Sequence, residues 1–95
     1  MISLAKQYGP NLGGRGIGAR VRADIQGFLT NEAVTIDFSG VQLLSHSFAD
    51  EVFGKLAEQH GVAIFKSRVL VRNISDFDKA ILSSVVRDRA QEFAS

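Results

Sequence analysis

Between positions 37 and 51 the chain gathers Asp37, Ser39, Ser45, His46, Ser47, Asp50 and Glu51: acids, a base and three hydroxyls in one short stretch. A hydrolase would need one hydroxyl at hydrogen-bond distance from His46, and His46 oriented in turn by a carboxylate. Side chains of adjacent residues diverge, and no G-x-S-x-G elbow is present. The pattern therefore predicts no catalytic residue and no enzyme. His46 reads as a solvated loop residue, and His60 as a capping contact near the end of its helix. Ser47, with Asp50 three positions on and Glu51 next, reads instead as a helix N-cap whose hydroxyl accepts a free backbone N–H. Asp37, Ser39 and Ser45 fit turn positions, where short polar side chains accept backbone hydrogen bonds.

A second cluster, Gly13-Gly14-Arg15-Gly16-Ile17-Gly18-Ala19-Arg20, puts flexible backbone and two guanidinium groups before a helix. That arrangement favours anions, with Gly14, Arg15 and Gly16 as the anion-binding candidates. It matches neither G-x-x-x-x-G-K-[ST] nor G-x-G-x-x-G, so it names no nucleotide, and a plain flexible loop competes with a small-ligand or nucleotide sensor. With no cysteine and two isolated histidines, the composition predicts no metal site, and no motif asks for a cofactor.

These residues need elements to position them. At 95 residues, 45% hydrophobic and 22% charged, the chain fits one domain, residues 1–95. Eleven Lys and Arg against ten Asp and Glu leave a net charge of +1, which nominates no nucleic acid. No apolar run approaches a membrane span and no signal peptide is evident, so the expected location is the cytoplasm. Residues 2–5 suggest a strand, and 6–16, with four glycines and the only proline, a loop. Ile17, Val21, Ile25, Phe28 and Leu29 draw one helical stripe. Val34, Ile36 and Phe38 alternate with Thr35 and Asp37 as a strand, and Phe48, Val52, Phe53 and Leu56 mark a second helix stopped by Gly61. Residues 62–65 fit either a short strand or an apolar connector, and 68–73 a third strand. Ser75 or Asp76 opens a last helix carrying Phe77, Ile81, Leu82, Val85 and Val86. The order β-α-β-α-β-α predicts an α/β domain with largely parallel strands and helices packed mainly on one face. Parallel strands would bring residues 13–16, 37–47 and 73–76 to one edge.

The segment VTIDFSGVQLLSHSFADEVFGKLAEQHG resembles the STAS domain of anti-sigma factor antagonists. Asp37-Phe38-Ser39 matches its strand end, and Ser47 stands where that family carries its phosphorylatable residue. Ser47 to Glu51, the glycines and arginine before the first helix, and Phe65, Arg68, Val69 and Asn73 are more similar still to a divergent STAS-like family of unknown function. His46 before Ser47 and Phe48 after it depart from the antagonists. The resemblance implies a bacterial regulatory module without chemistry of its own, partnered by a histidine-kinase-like ATPase or a switch protein. Its implied switch residue is Ser47, and Asp37, Ser39, Ser45, His46, Ser47, Phe48, Asp50 and Glu51 form the expected partner-binding set. A phosphate on Ser47 would add about two negative charges beside Asp50 and Glu51 and so repel a partner, unless Arg15 paired with it. An exposed strand edge or helix face leaves a homodimer open.

Overall fold

The computed structural model describes residues 1–29 and 32–94, with side chains through residue 90 at the carboxyl end. In chain order the elements are β1 (Ile2–Ser3), α1 (Leu4–Tyr8), β2 (Asn11–Leu12), α2 (Arg15–Leu29), β3 (Val34–Asp37), β4 (Leu43–Leu44), α3 (His46–Ala49), a π-helical turn (Asp50–Gly54), α4 (Lys55–His60), α5 (Val62–Arg68), β5 (Val69–Arg72) and α6 (Asp76–Ala94).

β-Branched Val34, Thr35 and Ile36 build the central strand, flanked in parallel by β1 and β5 in the order β1-β3-β5. The register sets Ile2 beside Ile36 and Val34 beside Val69, which places the buried side chains on one face. Leu70, paired with Thr35, stands on the other face and is half exposed. A separate parallel pair, β2 with β4, ties the first loop to the segment after β3. The α/β domain with parallel strands is thus present.

Several local expectations change. Residues 6–16, expected as loop alone, carry the end of α1 and all of β2. α1 is capped by Ser3 Oγ and ends at Gly9, where φ is 99°. Residues 62–65, expected as strand or connector, begin α5: Gly61, at φ 87°, restarts the chain, and Phe65 N–H donates to the Gly61 carbonyl. A short β-branched run looks alike in both structures, so the sequence does not separate them. Ser75, the first of the two candidates, accepts the Asp78 N–H and opens α6.

α3, the π turn and α4 run on as one helix, since the backbone at each junction stays right-handed helical. Every residue from 48 to 54 is buried, more than one helical face can supply, because α2 and α6 enclose the helix. Glycine makes the approach to α2 close: a Cβ on Gly18 would lie 2.9 Å from Glu51 Cβ. Phe53 anchors the core, its ring 5.9 Å from Phe38 and edge-on to Phe65 at 6.5 Å. Burying such a ring contributes about 1.5–3 kcal/mol.

Candidate functional site

The carboxyl end of the main sheet is closed by polar contacts. Asp37 Oδ1 accepts the Ser39 N–H and the Asn73 side-chain amide, both at 3.0 Å, which joins the loops after β3 and β5. The Asn73 hydrogen bond and then the Ser39 N–H hold the Asp37 carboxyl below its usual range. Asn73 itself has φ 58°, a left-handed turn that asparagine tolerates.

The segment from β3 to the long helix is pinned along its backbone. Val41 N–H donates to the Phe38 carbonyl, Gln42 and Leu43 both donate to the Pro10 carbonyl, and Ser45 N–H donates to the Leu12 carbonyl. Gly14 N–H reaches Ser45 Oγ at 3.3 Å, so the glycine loop and this segment do meet, at the end of the β2–β4 pair.

Ser45, not Ser47, is the N-cap. Its backbone is extended (φ −80°, ψ 154°), and its hydroxyl accepts the Phe48 N–H at 3.0 Å. His46 and Ser47 are therefore the first two helical residues, both exposed, and His46 is not a loop residue. Among the described residues no serine hydrogen-bonds His46. The expected His60 cap is not found among the described residues either: Gly61 ends α4, and His60 Nε2 is buried with no hydrogen-bond partner there.

The expected partner-binding set divides. Ser39, His46 and Ser47 are exposed, Asp37 and Ser45 are partly so, and Phe48 is wholly buried. Asp50 and Glu51 are 8% and 5% exposed and are held by cations of this same chain. Arg89 grips both Asp50 oxygens, Nε to Oδ1 at 2.9 Å and Nη2 to Oδ2 at 2.7 Å. Arg15 Nη1 bridges Asp50 at 2.9 Å and Glu51 at 3.3 Å. Arg22 and Lys55 reach Glu51 Oε2 at 2.5 and 3.0 Å. The Arg89 hydrogen bonds bring Asp50 down to about 2. Burial pushes Glu51 upward, but the hydrogen bonds from Arg22, Lys55 and Arg15 outweigh it and hold this carboxyl at about 2 as well.

Arg15 of the glycine loop, its side chain half exposed, is thus paired with internal carboxylates, and Gly14 donates to Ser45. Among the described residues no group of three His, Cys, Asp or Glu side chains could hold a metal ion, and no helix is long and apolar enough to cross a membrane.

A parallel sheet whose carboxyl edge leads through a short pinned segment into a serine-capped helix defines a STAS-like class of domain. Residues 18–79 match the model of the STAS-like domain of unknown function (DUF4325), and the chain belongs to that family. The match leaves out Arg15 and Arg89, both cations that hold Asp50. No curated protein and no solved structure matches the chain.

Proposed function

We infer that this domain is a non-catalytic regulatory module that docks a protein partner on residues 39–47, with Ser47 as its switch residue. The supporting observation is the exposure of Leu43, at 53%, beside exposed His46 and Ser47 on backbone already fixed by hydrogen bonds. An apolar side chain held on rigid backbone loses little conformational freedom on binding, which favours its use as an anchor. Phe77, in the first turn of α6, adds an exposed ring near the sheet end where Asn73 meets Asp37.

A phosphate on Ser47 still disrupts docking, but not through Asp50 and Glu51. Asp50 and Glu51 are already neutralised, so the new charge meets the free N–H groups of the helix start, which stabilise it. Its effect falls on the partner, because a dianion on the docking segment, four positions from Leu43, would have to be desolvated on docking. The partner class is a histidine-kinase-like ATPase or a switch protein. Incubation with such an ATPase and ATP, followed by peptide mapping, is expected to place phosphate on Ser47. Repeated absence of phosphate there removes the switch, and binding unaffected by Leu43→Glu removes the docking site.

A further inference from the structure

The core is thinnest on one side. Phe65, Val69, Leu82 and Val86 retain 6–8% exposure, more than any other buried hydrophobic residue described. All four line one trough between α5, the free side of β5 and α6. It consists of a hollow of about 190 Å³ that continues, through shared Lys66, Ser83 and Val86, into a second of about 360 Å³. Lys66 and Arg87 are its charged lining residues; no acidic side chain lines it among the described residues. Both cations are exposed, and neither forms an ion pair among the described residues.

We propose that this trough binds an acidic amphipathic helix of a partner protein, at a place separate from the Ser47 edge. The floor is apolar and the bank is cationic, so the complementary ligand presents apolar side chains flanked by carboxylates. Along α6 the lining runs from Leu82 to Ala90, a rise of about 12 Å. An incoming helix spans about 10.5 Å from i to i+7, so apolar anchors at i, i+3 or i+4, and i+7 fill the trough end to end. The two open hollows receive separate side chains. Lys66, common to both, lies midway for a carboxylate on the flank, and Arg87 serves the outer hollow.

The test uses the full chain, nitrogen-15 labelled, titrated with two synthetic helical peptides. Both carry leucines at i, i+3 and i+7; one has glutamates on the flanks and the other lysines. Amide shifts from the glutamate peptide are expected to centre on α5, β5 and the 82–90 stretch, with the lysine peptide binding at least about tenfold more weakly. The exposed pair Lys66→Glu and Arg87→Glu, which leaves the floor intact, is expected to invert that preference. Equal binding of the two peptides, shifts centred elsewhere, or binding by neither peptide overturns the proposal. So does a self-association that Ser83→Arg abolishes, which would put a second copy in the trough. Shifts here from dodecanoate but from neither peptide would make it a lipid site and overturn the proposal as well.

Discussion

Ser45 and Ser47 lie two positions apart, each ahead of the same apolar helix, and only one can cap it. The capping bond from Phe48 N–H to Ser45 Oγ predicts that Ser45→Ala costs about 1 kcal/mol of stability. Ser47→Ala, on an exposed helical position, stays within about 0.5 kcal/mol. Urea unfolding of the two variants separates them, and the reverse order would restore Ser47 as the cap. Asp50 and Glu51 make a second prediction. Their folded values near 2 lie below the ordinary 3.8 and 4.5, so the folded state binds fewer protons than the unfolded chain. Their stabilisation is complete above about pH 5 and is lost as pH falls toward 2. The double variant Asp50→Asn, Glu51→Gln should flatten that acid limb. Asp50→Asn alone, which leaves Arg89 only its 3.4 Å contact with Glu58, should cost about 1–3 kcal/mol near neutral pH. The sequence showed two adjacent acids but not their burial, because Arg15 and Arg89 join Asp50 from 35 and 39 positions away. It also could not choose between two serines whose local signals are alike.

At the scale of elements, the legible ones were those long enough to display a period. The stripe through Val21, Ile25 and Leu29, the alternation of Val34 and Ile36, and the apolar positions of α6 each repeat often enough to give a direction. α1, β2, β4 and α5 are two to seven residues long and depend on partners elsewhere in the chain. The π turn was hidden for a related reason: it belongs to a helix packed on two sides, and apolar spacing reports only one buried face. Two glycines of α2 test that packing. Gly18→Ala places its Cβ against Glu51 and should destabilise by about 1–3 kcal/mol. A Cβ on Gly27 meets nothing within 4 Å among the described residues, so Gly27→Ala should gain about 0.5–1 kcal/mol from helix propensity. Thermal unfolding checks both signs; a stabilising Gly18→Ala would mean that α2 and the π turn are further apart.

Across the whole molecule, three parallel strands bring the loops after β3 and β5 together, where Asp37 meets Asn73, and the separate β2–β4 pair brings Gly14 to Ser45. The first meeting follows from the alternation of strands and helices and was legible before any side chain was placed; the β2–β4 pair, two residues a strand, was not. Which of the gathered residues face outward was not, because exposure depends on how α2 and α6 enclose the central helix. The result is a domain in which Asp50 and Glu51 face inward, while Leu43, His46 and Ser47 remain open on a braced segment. Calorimetric titration of the whole chain against a histidine-kinase-like ATPase from the same organism tests this account most directly. Leu43→Glu and Ser47→Glu are each predicted to weaken binding at least about tenfold, while Ile64→Glu on exposed α5 leaves it unchanged. Full affinity in both loop variants, or a loss confined to Ile64→Glu, would contradict it.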